Sequence, residues 1–152
     1  MVVVAIIGIL AAIAIPQYMS YKRQAYNSKA LAHIHFIKTS EANYWVSPQL
    51  YVGVPPGIGP SPTGIIPNTT VPSGVGFKVV VFPVRGTDPA TGYNQGDNYV
   101  AFTGHAQGDR VFGVDTREII QWRANRAGMD PAADAQSEPT ATLLPAGWGH
   151  KL

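Results

Sequence analysis

Four side chains in one short stretch offer hard oxygen donors. Asp88, Asn94, Asp97 and Asn98 all fall within RGTDPATGYNQGDN, residues 85–98. Gathered around one point they would suit Ca²⁺, which takes several such oxygens. Their spacing does not follow the EF-hand order, and Asp and Asn are also ordinary turn residues. Asp88, Asn94 and Asp97 therefore stand as weak calcium candidates, and no metal or cofactor is assigned. His33 and His35 are two apart and cannot share a helix face, whereas ligand pairs on a helix stand four apart. No G-x-S-x-G, P-loop or H-E-x-x-H motif occurs, and there is no Cys. Disulfides, thiolate metal sites and Cys nucleophiles are thereby excluded. The expectation is a chain that does not catalyse.

Composition narrows the field further. Charged residues make up 13%, against ~25% in an ordinary soluble domain. The net charge of +2 and the scattered basic residues, adjacent only at Lys22-Arg23, make no case for nucleic acid. Solvated surface charge is the plain reading. Gly and Pro are abundant, yet 45% hydrophobic residues argue for a core. A length of 152 residues suits one compact domain plus one extended element.

The extended element comes first. Met1 to Ile15, MVVVAIIGILAAIAI, carries nothing charged or strongly polar. A helix of this length reaches about 22 Å at ~1.5 Å per residue. That falls short of the ~30 Å hydrocarbon core, which takes about 20 apolar residues to cross. The run flows into Pro-Gln-Tyr and a further helical pattern, unlike a signal peptide with its small-residue cleavage site. A helix apolar on every face must be surrounded, by lipid or by other copies of itself. Gly8 and Pro16 predict a kink.

From Gln17 to about Val46 the pattern changes. Tyr26, Ala30, Ile34, Ile37 and Tyr44 recur at steps of three, four and seven, which makes one stripe on a helix. Arg23 and Glu41 fall near this stripe and are expected at its ends or edges. Ser47-Pro48 should stop the helix. Residues 47–74 read as a Pro-rich loop, either a working surface or a flexible one. Three strands follow, Val75 to Val84, Tyr99 to His105 and Arg110 to Asp115, with a hairpin turn at Gln107-Gly108-Asp109. They predict an antiparallel meander packed on the helix, an α+β head. The layout is a hydrophobic segment at 1–24 and a head at 25–152. The head comprises a helix at 25–46, a loop at 47–74, a sheet at 75–116 and a tail at 117–152. Trp148 is a candidate anchor for the tail. Asn68-Thr69-Thr70 is a formal N-glycosylation sequon.

Met1 to Tyr18, MVVVAIIGILAAIAIPQY, closely resembles the N-terminal segment of type IV pilins and the related type II secretion pseudopilins. The match is specific in its order: the branched run, Ile-Ile-Gly-Ile-Leu-Ala-Ala-Ile-Ala, Ile-Pro, then Gln-Tyr. It covers residues 1–18 alone. The resemblance implies a long helix on a small antiparallel sheet, without a cofactor. It implies that Val2, Val3, Val4, Ile6, Ile7, Ile9, Leu10, Ile13 and Ile15 pack the core of a helical filament of identical subunits. Gly8, Ala5, Ala11, Ala12 and Ala14 would leave room for close approach. The stretch from Gly8 to Pro16 would lose helicity in that filament. A few mature residues, including a methylated Phe and an acidic residue that guides assembly, would precede Met1; no position here carries them.

The resemblance also implies an inner-membrane anchor before assembly, then an extracellular filament for adhesion, motility or DNA uptake. Implied partners are the pilus assembly machinery and a leader peptidase/methylase. Lys22 and Arg23 would lie outside the membrane, against the positive-inside tendency. Asn68, Thr69, Thr70 and Ser73 become glycosylation candidates, through N- or O-linked sugars. The alternatives are a type II secretion pseudopilin, which calcium in the head would favour, and a tip pilin binding a small ligand or DNA. Tyr18, Tyr21, Tyr26, Tyr44 and Trp45 read as packing residues, not an electron path.

Overall fold

The computed structural model describes residues 1–46, 49–60, 70–89, 92–138, 144 and 148–152. Helix α1, Val2–Trp45, is a single rod of 44 residues. At ~1.5 Å per residue it is about 66 Å long. It ends just before Ser47 and Pro48, which lie outside the described residues. The helix runs unbroken through Gly8 and Pro16, so the extension implied there for the filament is not found in the single chain. Pro16 lacks one donor, but extending the stretch would release many more helical hydrogen bonds. No neighbouring chain is present to offset that loss.

The head is a seven-stranded antiparallel sheet. Its strands are β1 (Tyr51–Val52), β2 (Val54–Ile58), β3 (Val75–Thr87), β4 (Asn94–His105), β5 (Arg110–Asp115), β6 (Gln121–Ala124) and β7 (His150–Lys151). The order is β2-β3-β4-β5-β6-β7, and β1 pairs with β4 at Gln95 and Gly96. β5 covers only Val100 to Gly104 of β4, so β1 fills the flank that β5 leaves open. The expected meander is there, and it is longer than expected. Asn94 to Asn98, read as loop, pair with Phe82 to Thr87. The loop predicted at 47–74 contains β1 and β2, and the tail at 117–152 contains β6, β7 and helix α2 (Pro131–Ser137).

Strand alternation builds two cores. Val75, Phe77, Val79 and Val81 of β3, Tyr99 and Ala101 of β4, and Phe112 and Val114 of β5 turn to α1 and bury Ala30, Ile34 and Ile37. Each buried Ile contributes ~1.5–3 kcal/mol relative to exposure. The opposite face carries Val100, Phe102 and Val111 under Ala135 of α2 and Leu144, with Trp148 against them. Trp148 thus serves as the tail anchor, its ring 5.7 Å from that of Phe102.

Two glycines directly paired across β3 and β4, Gly76 and Gly104, form the seat of α2. A Cβ on Gly104 would stand 2.1 Å from the Pro131 carbonyl oxygen, and one on Gly76 would stand 2.4 Å from that of Ala132. Only glycine lets the two backbones meet so closely. α2 starts on an Asp130 cap whose side chain accepts from the Ala133 N–H at 2.7 Å, with Pro131 in the first turn.

Polar clasps do the work that a disulfide cannot do here. Buried Asp115 accepts from the backbone N–H of Leu144 at 3.1 Å and of Arg117 at 2.9 Å. The Arg117 guanidinium pairs with Asp115 and donates to the Leu144 carbonyl at 2.7 Å. Asp134 of α2 is gripped by Arg123 and Arg126, and Glu138 pairs with the same two arginines.

Candidate functional site

The part of the molecule with the least internal explanation is the first half of α1. Val2 to Tyr21 carry no charged side chain, and of these Pro16, Met19 and Ser20 line a notch with Asp109 and Arg110 of the head. Ile9 is 64% exposed, and Val2, Val3, Val4, Ile6, Ile7, Leu10, Ile13 and Ile15 are exposed like it. A Cβ on Gly8 would meet nothing. These twenty residues rise about 30 Å, the thickness of a hydrocarbon core. The Met1 to Ile15 run is too short by itself, but the helix stays uncharged for six residues more. α1 is therefore long and apolar enough to cross a membrane, with mean hydropathy 2.3 over its most apolar window.

The second half of α1 buries one stripe: Asn27, Ala30, His33, Ile34, Ile37 and Glu41. Glu41 is a correction, since it was expected at an edge and is 0% exposed. Its Oε2 accepts from the Val52 N–H at 3.0 Å, which ties β1 to the helix, while Oε1 has no partner among the described residues. Burial pushes its carboxyl up to about 8, against the smaller opposite pull of the Val52 bond. His33 sits edge-on to Phe77 at 5.8 Å, with neither ring nitrogen bonded among the described residues. Burial lowers it to about 4. His35 is exposed on another face. Near Glu41, the Tyr44 hydroxyl hydrogen-bonds Asp88 and Gln95, and its own pKa is raised by burial first and by Asp88 next.

The calcium candidates are not brought together. Asp97 is held by Arg85, whose Nε donates to Oδ2 at 2.8 Å. Asp88 is buried beside Tyr44. Asn94 and Asp97 lie three apart on β4, so their side chains leave opposite faces. Among the described residues no three His, Cys, Asp or Glu side chains form a metal-holding group. Of the glycosylation candidates, Thr70 and Ser73 are exposed. Asn68 and Thr69 lie outside the described residues.

The buried carboxyl gives a pH prediction. The folded pKa of Glu41 lies above its ordinary value of 4.5. Its contribution is therefore complete below pH 4.5 and is lost as pH rises towards 8. The folded pKa of His33 lies below its ordinary 6.5, so its contribution is lost as pH falls from 6.5 towards 4. The two slopes oppose one another between pH 4.5 and 6.5. Glu41 acts alone above that, at up to about 1.4 kcal/mol per pH unit. Urea unfolding of the head should show stability falling from pH 6.5 to 8, and Glu41→Gln should flatten that decline. A variant with the wild-type slope would show that Glu41 does not titrate in this way.

No family model matches the chain, and no solved structure matches it.

Proposed function

We propose that the chain is a structural subunit of a type IV pilus-like filament, held in the membrane by α1 before assembly and displayed outside the cell afterwards. One observation carries this reading. Twenty uncharged residues of a continuous helix stand bare on every side, while the next twenty-odd pack firmly on a sheet. A folded head has no use for such a segment. Lipid satisfies it first, since the helix holds its own backbone hydrogen bonds. Identical copies satisfy it later, through branched knobs and the small residues Ala5, Gly8, Ala11, Ala12 and Ala14. The resemblance of Met1 to Tyr18 to pilins points the same way. Assembly machinery and a leader peptidase/methylase belong to this reading, and adhesion, motility or DNA uptake would be its uses.

The test is to shear filaments from cells that make the protein and reconstruct them by cryo-electron microscopy. The expected map has this chain as its repeating unit, Val2 to Tyr21 of each copy along the axis, and Gly8 to Pro16 extended. A helix continuous through Pro16 would remove the extension alone. Protein confined to the membrane fraction, with no filament, would sink the reading and favour a pseudopilin-like membrane component.

A further inference from the structure

The bare half of α1 ends abruptly at a cluster of cations. Lys22 and Arg23 follow Tyr21 directly, Lys29 comes two turns later, and all three are exposed. No acidic residue lies between Lys22 and Glu41, which is buried in the head. Lys38 has its partner in Glu118 at 3.3 Å. Lys22, Arg23 and Lys29 have no ion pair among the described residues. Lys22 and Lys29 lie on one face, their ammonium groups 6.0 and 5.4 Å from the Tyr26 ring centroid. The head adds a fourth cation. Arg110 lines a notch of about 430 Å³ with Arg23, Met19 and Ser20. The acidic group there is Asp109, 3.8 Å from Arg110 and hydrogen-bonded by the Asn27 side chain at 2.7 Å. Among the described residues Lys22, Arg23 and Lys29 thus stand without an ion pair near Arg110, which pairs with Asp109 and stacks on Trp122 at 3.8 Å.

We propose that Lys22, Arg23, Lys29 and Arg110 form a belt that binds anionic phospholipid headgroups on the side of the membrane from which the head projects. The proposal rests on α1 spanning the membrane. With Val2 to Tyr21 filling the ~30 Å core, Lys22 and Arg23 begin at the headgroup layer. Helix side chains tilt towards the N-terminus, so these two reach back onto the lipid surface. Lys29 stands about 10 Å further out at ~1.5 Å per residue, close to one Debye length at physiological salt. It acts through its field more than by contact. The Asn27–Asp109 pair holds the turn bearing Arg110 level with this belt.

The experiment reconstitutes the full chain in phosphatidylcholine vesicles doped with spin-labelled phosphatidylglycerol or spin-labelled phosphatidylcholine. Electron paramagnetic resonance then reads the motionally restricted lipid around the protein. Wild type should select phosphatidylglycerol by about fivefold or more at low salt, falling steeply in high salt. The double variant Lys22→Gln, Arg23→Gln changes two exposed side chains, and circular dichroism checks that its head still folds. Its selectivity should drop towards one. Equal restriction of both lipids by wild type, or undiminished selectivity in the variant, overturns the belt. No restricted lipid of either kind would instead overturn the membrane-spanning reading beneath it.

Discussion

Asp134→Ala will lower the unfolding free energy of the head by about 3–5 kcal/mol, because it breaks a buried ion cluster from one side only. Asp134 is 0% exposed. Its two oxygens accept from both terminal nitrogens of Arg123 at 3.0 Å and from the Arg126 backbone N–H at 2.6 Å. The variant strands those donors in a space built for a charge. Glu138 still holds both guanidinium groups, which places the expected loss at the lower end of the range. α2 should loosen first, since Asp134 fastens it to β6 and the turn beyond. Asp134→Asn keeps an acceptor and loses the charge, so it should fall between wild type and the Ala variant. Urea unfolding measures all three. A loss below about 1 kcal/mol for Asp134→Ala would class the cluster with exposed ion pairs.

Ile9→Asp should abolish filaments and leave the head as stable as before. Ile9 lies in the bare half of α1, far from every residue of either core. A carboxylate at the middle of a membrane helix costs about 2.5–3.5 kcal/mol. Among packed copies it would have to be buried again without a built partner. The measurement pairs filament yield after shearing with the urea curve of the head. Normal filaments from Ile9→Asp would mean that this face does not lie in the subunit interface. A destabilised head would mean that the two halves of α1 are energetically linked.

The sequence and the structure agree most closely where periodicity is strong. The stripe through Ala30, Ile34 and Ile37 faces the sheet, and the three long strands lie where β-branched and aromatic residues cluster. Glu41 shows why part of the site stayed hidden. Its spacing, four after Ile37 and three before Tyr44, placed it on the buried stripe, but its charge argued outward. Only the Val52 N–H of β1 explains its burial, and β1 is two residues long, too short for any pattern. Likewise Asn94 to Asp97 have turn composition, and long-range pairing with β3 makes them strand. Gly76 and Gly104 gave no signal either, because their role depends on each other and on α2. The bare segment was legible outright, since apolar character on every face needs no partner to be seen.

The unbroken course of α1 has a mechanical consequence. Tension applied to the bare half enters the head along the seam between helix and sheet before it reaches the short connection from Trp45 to β1. That seam runs parallel to the rod, from the Asn27–Asp109 pair, past the Thr103 hydroxyl on the Ala30 carbonyl, to Glu41 on Val52. A pull along the axis therefore loads these contacts in shear. They share the load and must slip together, whereas a sideways pull would peel them one at a time. The architecture is strong along the one direction in which a fibre would be stretched.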